Sequence, residues 1–169
     1  MTPKTENAIS PPGRQWLVLA GFVGLCLAVG SIAGWATNQS VATWYMTLNR
    51  PSWTPPGWVF APVWTVLYIM MGVAAWRIWR AGGGFVGDAR SALIVFFVQL
   101  TFNFTWSLAF FAARSTLLGL ITITALWLTI ALAISVFRPI DRLAAWLMAP
   151  YLLWVSFAAA LNFAFWHLN

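Results

Sequence analysis

The chain has 169 residues, of which 62% are hydrophobic and only 7% are charged, and its formal net charge is +6. Soluble domains carry about 25% charged residues, so this chain lacks a water-solvated surface and is predicted to lie in a lipid bilayer. Nucleic-acid binding is not expected, because the basic residues sit beside apolar runs and do not cluster on one helix face.

Side chains that ligate metal ions are scarce in this sequence. The one cysteine, Cys26, lies inside an apolar run, and the one histidine, His167, lies near the end of the chain. No cluster has the spacing of a metal site, so neither a protein-built metal site nor an obligatory cofactor is predicted. A histidine at such a position is far more often solvated than bound to haem iron.

Residues 1–15 are polar and rich in Pro, Ser and Thr, and they are predicted to form a disordered tail. The apolar run that follows is longer than the core of a signal peptide and lacks a convincing A-x-A cleavage site. It is therefore predicted to remain as the first helix. Residues 16–169 are predicted to form a single membrane domain.

Charged residues divide this domain into five uncharged blocks, each long enough for one crossing of about 20 residues. The predicted fold is therefore an all-α integral membrane protein, a bundle of five transmembrane helices. We place these helices near residues 16–36, 56–79, 91–113, 116–137 and 143–166. The only long connection, residues 37–55, is a Pro/Trp-rich loop between helices 1 and 2.

The loop belongs to a stretch, residues 44–68, that is rich in proline and tryptophan (WYMTLNRPSWTPPGWVFAPVWTVLY). Proline fixes the torsion φ and removes a hydrogen-bond donor, so the loop is predicted to be stiff. Its tryptophans offer broad apolar rings, and each keeps one N–H for a polar partner. Such rings suit a membrane boundary or the lid of a pocket for a flat aromatic ligand.

Five crossings place the chain ends on opposite sides of the membrane, so the basic residues can be assigned to sides. Arg50 and Arg114 fall on the C-terminal side, and the other seven basic residues fall on the N-terminal side. By the positive-inside rule the N-terminus is expected in the cytoplasm, and the C-terminus and the helix 1–2 loop are expected outside. In a bacterial inner membrane the outside is the periplasm. The alternative is an accidental charge bias, since the rule has exceptions.

Three predicted helices carry a face that combines aromatic and polar residues. In the third helix, Gln99, Asn103, Trp106 and Phe110 recur every three or four positions and so share one face. Polar side chains are costly against lipid, so such faces are predicted to turn inward. Comparable stripes are Trp64 and Tyr68 in the second helix, and Tyr151, Trp154, Ala158, Asn162 and Phe165 in the fifth.

Several members of these stripes are predicted to lie at one depth, roughly 10–18 Å below the exterior end of the helices. Tryptophans at this depth favour a slot for a planar ligand, because leucine fills a membrane core without an N–H that needs a partner. The alternative is a packed core in which Gln99, Asn103 and Asn162 bond neighbouring helices. The residues of the layer are Trp64, Asn103, Trp106, Trp154 and Ala158.

Two further features have both a structural and a functional interpretation. Arg50 and Arg114 could attract ligand carboxylates, although snorkelling to the interface is the ordinary behaviour of such residues. Gly30 and Gly34 form a GxxxG pair that permits close helix contact, which is compatible with a homodimer.

The stretch WYMTLNRPSWTPPGWVFAPVWTVLYIMMG closely resembles the signature of the translocator protein family (TspO/MBR), which includes the tryptophan-rich sensory proteins and the peripheral benzodiazepine receptor. The resemblance continues in QLTFNFTWSLAFFAAR and PYLLWVSFAAALNFAFW. It implies a five-helix bundle, usually dimeric, that binds porphyrins such as protoporphyrin IX or haem, and benzodiazepine-type ligands. Some family members bind cholesterol. Here His167 stands where the family's cholesterol motif has a cation, so weak or no cholesterol binding is expected.

The resemblance also implies site residues. In some bacterial relatives, the tryptophans that match Trp64 and Trp154 are implicated in light- and oxygen-dependent breakdown of bound porphyrin. The implied ligand-binding residues are Trp44, Tyr45, Pro51, Trp53, Trp64, Tyr68, Asn103, Trp106, Phe110, Trp154, Ala158 and Leu161.

Three functions are therefore considered. The first is tetrapyrrole binding for sensing, transport or stress-linked regulation. The second is enzyme-like photo-oxidative degradation of porphyrin through Trp64 and Trp154. The third is a membrane scaffold without a ligand. No charged residue is predicted at mid-depth in the five helices, so no proton relay or ion site for energised transport is expected.

Overall fold

A computed structural model describes residues 12–169, and every regular element in this range is helical. The five long helices are α1 Pro12–Ser40, α2 Phe60–Ala81, α3 Gly87–Ser107, α4 Thr116–Phe137 and α5 Arg142–Leu168. Each is long and apolar enough to cross a membrane, which confirms the predicted five-helix membrane bundle. Residues 1–11 of the predicted tail lie outside the described residues, and α1 begins at Pro12, within the last part of that tail.

Two of the long helices end in a π-helical turn. Val41–Tyr45 continues α1 and Leu108–Ala112 continues α3, while a short 3₁₀ turn, Gly57–Val59, leads into α2. The π-turns lie against each other across the bundle, because the Ser40 hydroxyl donates to the Phe111 carbonyl at 2.7 Å. Such turns are frequent at functional sites because they change the direction in which side chains point.

The prediction that the loop begins at residue 37 was wrong, because α1 and its π-turn continue to Tyr45. The polar residues Thr37 and Ser40, at the start of the predicted loop, are bonded to α3 and its π-turn. The Thr37 hydroxyl lies 2.8 Å from that of Ser107, and it also donates to the Ala33 carbonyl at 2.8 Å. Polar side chains with such partners are tolerated in a membrane helix. The connector, as used below, is therefore residues 46–56.

The helices form a closed ring in the order α1, α2, α5, α4, α3. The connector and the end of α5 lie at one end of this ring, here called the connector end. The helix junctions at the opposite end are the Gly-rich turn after α2 and the turn at Asp141. Asp141 caps α5 by accepting from the Ala144 amide at 2.9 Å, and it pairs with Arg77 at 2.8 Å.

Packing is solid toward the opposite end and looser toward the connector end. On α2 every buried residue lies at or beyond Leu67, and Gly72 sits so close to α1 that a Cβ there would come within 2.6 Å of the Val23 Cα. Small residues thus bring α1 and α2 together in this half. The other half of α2, from Phe60 to Val66, is not buried against its neighbours, which leaves space under the connector.

Candidate ligand-binding cavity

A cavity of about 680 Å³ lies at the connector end, between α1, α2 and α3. Its volume falls within the range of about 300–1,000 Å³ that is typical of small-molecule sites. The connector contributes to its mouth, and α3 contributes Asn103, Trp106 and Ser107. The residues from α1 and its π-turn are Leu27, Gly30, Ser31, Ala33, Gly34, Thr37, Asn38, Val41 and Tyr45; those from α2 are Phe60, Ala61, Trp64, Thr65 and Tyr68.

Trp64 is the centre of an aromatic wall. Its ring stacks on that of Tyr68 with centroids 5.6 Å apart, and it lies 6.1 Å from the ring of Trp106 at an angle of 31°. A third neighbour, Tyr151 of α5, meets it edge-on at 6.1 Å. Three neighbouring rings, with Trp64 inclined by 30° to Tyr68 and by 31° to Trp106, lie along the cavity and form a surface suited to a flat aromatic molecule.

A buried hydrogen-bond chain lies behind this wall. Tyr68 donates its hydroxyl to Asn103 Oδ1 at 2.6 Å, and Asn103 donates from Nδ2 to the Tyr151 hydroxyl at 3.0 Å. The amide, only 2% exposed, thus links α2, α3 and α5. Because both ends of the amide are engaged, the orientation of Tyr68 at the cavity is set by three helices at once.

Gly30 provides the space for Tyr68 on the α1 side, since a Cβ on Gly30 would overlap the Tyr68 ring. Gly34, one turn further along, borders the cavity and has open space at its Cβ position. Gly30, the first glycine of the GxxxG pair, therefore permits a close contact within the chain, between α1 and Tyr68. The predicted homodimer remains a prediction.

A second void of about 40 Å³ lies on the far side of Trp106, between the two π-turns and α5. The partition between the two spaces consists of the residues that border both of them, Tyr45, Phe60, Trp106 and Phe111. Trp106 is held there because its Nε1 donates to Asn162 Oδ1 at 3.2 Å. This finding agrees with the alternative interpretation of Asn162 as an interhelical bond.

The predicted site residues divide into three groups. Tyr45, Trp64, Tyr68, Asn103 and Trp106 border the main cavity. Tyr45 and Trp106 also border the small void, together with Phe110, Ala158 and Leu161. The remaining four, which border neither space, are Trp44, Pro51, Trp53 and Trp154.

The slot was expected among α2, α3 and α5, but the larger cavity lies between α1, α2 and α3. On α5, Trp154 packs edge-on against Phe60 at 5.9 Å and tilts against Phe157 at 5.4 Å, and its buried Nε1 has no partner among the described residues. Trp53 covers Phe157 at 5.8 Å. These rings fill the α2–α5 junction, so Trp154 does not reach the space beside Trp64.

The cavity residues on α1 were not predicted. They recur as Leu27, Gly30, Gly34, Thr37 and Val41, the three-to-four spacing of one helix face. Between the aliphatic residues Leu27 and Val41, this face carries the small or weakly polar residues Gly30, Gly34 and Thr37. That pattern is the signal that could have identified it.

The connector is attached to α5 and carries a cation at the cavity. Asn49 exchanges hydrogen bonds with Asn169, and Arg50 borders the cavity with its Cζ 5.0 Å from the centre of the Tyr45 ring. Burial raises the pKa of Tyr45 above its ordinary value, and the nearby Arg50 charge offsets only part of this effect. The Tyr45 phenol is therefore neutral at physiological pH.

Comparison with known proteins agrees with this architecture. The model of the TspO/MBR family matches residues 22–167. A tryptophan-rich protein TspO from Chlorobaculum tepidum is 42% identical over 156 residues, which cover 92% of this chain and 98% of that protein. A translocator protein from Sus scrofa is 35% identical, covering 95% and 94%, and a tryptophan-rich sensory protein from Cereibacter sphaeroides is 34% identical, covering 92% and 93%.

Proposed function

The chain belongs to the TspO/MBR family of membrane proteins, and from this premise we propose that it binds a tetrapyrrole such as protoporphyrin IX or haem in the cavity under the connector. Binding would serve tetrapyrrole sensing, transport or stress-linked regulation. The names of similar proteins, which include a translocator protein and a tryptophan-rich sensory protein, support a role of this kind.

One observation carries the proposal: a cavity of about 680 Å³ is bordered by the neighbouring aromatic rings of Trp64, Tyr68 and Trp106. A porphyrin is a flat, largely apolar macrocycle that gains dispersion and stacking energy against such rings. The volume also suits a ligand of that size. The residues that contact the ligand are then Tyr45, Trp64, Tyr68 and Trp106, and Asn103 positions Tyr68.

The test is a titration of the purified full chain with protoporphyrin IX, followed by the absorbance of the porphyrin. Saturable binding is expected, and Trp64→Phe should weaken it roughly three- to tenfold through loss of ring contact. Trp146→Phe is the matched control, because Trp146 is 73% exposed and lies near the start of α5, at the opposite end of the bundle. No saturable binding, or equal loss in both variants, would favour the scaffold alternative.

Light- and oxygen-dependent degradation of bound porphyrin is a second candidate function. The observation that favours it is the position of Trp64 at the cavity, where its electron-rich indole would touch an excited ligand. Illumination of the complex in air tests it. Porphyrin loss no faster than in detergent alone would exclude this function.

We also propose an orientation for the protein. All five cationic residues on α2–α5 at the opposite end, Arg77, Arg80, Arg90, Arg138 and Arg142, would face the cytoplasm, whereas Arg50 and Arg114 at the connector end would face the exterior. An impermeant thiol reagent should then label Ser52→Cys but not Val86→Cys in intact cells, while Cys26 is buried in both. Val86 is 59% exposed and lies in the turn before α3, at the opposite end. Labelling of Val86→Cys alone would reverse the orientation.

A further inference from the structure

Arg50 stands out among the residues at the cavity because its charge is not neutralised. Among the side chains that the structure describes, the one ion pair joins Arg77 and Asp141, at the opposite end of the bundle. The acidic residues in the range 12–169 are Asp88 and Asp141, and both lie at that opposite end. The mouth of this largely apolar cavity thus carries the Arg50 cation and, among the described residues, no Asp or Glu side chain.

The Arg50 guanidinium has two contacts within the protein, although the residue as a whole is exposed. It lies over the ring of Tyr45, and its Nη2 contacts the Met46 sulfur. The Tyr45 ring is itself packed against Phe165 at 5.3 Å and Phe111 at 5.8 Å, so the platform beneath the cation is rigid. These contacts distinguish Arg50 from an arginine whose guanidinium only snorkels toward water.

The backbone of Arg50 is fixed from both sides. The residue before it, Asn49, is bonded to Asn169, and the residue after it is Pro51, whose ring restricts the chain. A positioned guanidinium presents two N–H groups in a plane, which match the two oxygens of a carboxylate. Arg50 therefore has the features of a carboxylate-binding group as well as those of a surface charge.

We propose that Arg50 selects for anionic ligands by binding a carboxylate at the cavity mouth while the wall around Trp64 holds the flat apolar body. The inference rests on the proposed function and extends it, because it assigns the discrimination between charged and uncharged flat ligands to one residue of the connector. Protoporphyrin IX carries two propionate groups on one edge, so its macrocycle can enter the cavity while a propionate stays at the mouth.

The experiment compares protoporphyrin IX with its dimethyl ester, which has the same macrocycle without the charges. Dissociation constants are measured for the full chain and for Arg50→Gln, Arg50→Lys and Arg114→Asn. The control replaces the other cation of the connector end, Arg114, whose φ of 52° asparagine tolerates. Arg50→Gln should weaken binding of the diacid about tenfold and leave the ester unchanged.

The other measurements separate charge from structure. Arg50→Lys should give an intermediate loss, because it keeps the charge without the planar pair of donors, and Arg114→Asn should match the parent. Added salt should weaken diacid binding in the parent and much less in Arg50→Gln. Ester binding also reports that each variant is folded.

Two results would overturn the inference. Equal loss for diacid and ester in Arg50→Gln would assign Arg50 a structural role, and no loss for either would leave it without a role in binding. If the parent binds neither porphyrin, the proposed function itself fails. If the parent instead binds the diacid and the ester equally well, only the role of Arg50 is rejected.

Discussion

Asn49 of the connector and Asn169 after α5 exchange hydrogen bonds although 120 positions separate them. The Asn49 amide donates to Asn169 Oδ1 at 2.9 Å, and Asn169 Nδ2 donates to the Asn49 carbonyl at 3.2 Å. The side chain of Asn49 adds a bond to the Leu168 carbonyl at 3.2 Å. The cover of the cavity is thereby attached to a helix that forms little of the cavity wall.

Removal of this attachment should loosen the connector more than the bundle. Asn169→Ala is expected to increase hydrogen–deuterium exchange in residues 46–56 and to accelerate both association and dissociation of porphyrin. Its cost in unfolding free energy should stay below about 1 kcal/mol, because the bonds are exposed. Ser135→Ala, which removes an exposed hydroxyl bond near the far end of α4, is the control. Unchanged exchange in the connector would show that the prolines alone hold it.

Replacement of Asn103 should be costly because it leaves two phenols without their partner. Asn103→Leu is expected to destabilise the protein by about 2–4 kcal/mol in thermal or denaturant unfolding. The triple variant that adds Tyr68→Phe and Tyr151→Phe should recover most of the loss, since both partners of each bond are then apolar. A triple variant less stable than Asn103→Leu alone would contradict a role of Asn103 as the shared partner.

Gly30→Ala should disturb the packing of α1 against α2. The added methyl group overlaps the Tyr68 ring, and overpacking of this kind costs about 1–3 kcal/mol. Gly34→Ala provides a close control, because nothing lies within 4 Å of its Cβ position. The free energies of unfolding of the two variants are measured in the same detergent and compared. Similar stabilities would imply that α1 shifts freely to relieve the contact.

Trp64 and Trp154 should contribute unequally to any photochemical loss of bound porphyrin. Trp64 borders the cavity, whereas Trp154 packs against Phe60 and Phe157 away from it. On illumination in air, Trp64→Phe is expected to slow the loss of porphyrin absorbance more than Trp154→Phe does. Equal slowing in both variants, at equal occupancy, would indicate that the ligand extends to the α2–α5 junction.

Protonation of the Asp141 carboxylate should account for part of the loss of folding stability in acid. Partial burial tends to raise the pKa of this carboxyl, but the Ala144 amide and Arg77 outweigh that effect and lower the pKa below its ordinary value. Its contribution is therefore complete above about pH 4 and is lost as the pH falls through the lowered pKa. The fall in melting temperature from pH 6 to pH 3 should be smaller in Asp141→Asn than in the parent. Asp88→Asn serves as the comparison, and identical profiles for the parent and Asp141→Asn would reject the assignment.

The five crossings could be read from the sequence because a bilayer imposes them. Backbone groups in hydrocarbon must be bonded within the segment, so length and apolarity alone identify a membrane helix. The prediction for α4, residues 116–137, coincides with the observed Thr116–Phe137. The inward face of α3 was also predictable, since the membrane penalises Asn103 against lipid.

The end of α1 and the position of the cavity depended on partners distant in the chain. Thr37 and Ser40 suggest a loop when read locally, yet Ser107 and the Phe111 carbonyl satisfy them within a helix. Gly30 likewise permits close contact, but the sequence does not show whether its partner is Tyr68 or a second copy of the chain.

The sequence by itself determined the class, the number of crossings and the set of aromatic residues from which a site could be built. The tertiary structure alone decided which of them share a space, placing Trp64 at the cavity and Trp154 outside it. The physical reason is that hydrophobicity sets the depth of a helix residue in the membrane. Its direction within the bundle follows from how neighbouring helices pack, and that depends on contacts between residues far apart in the chain.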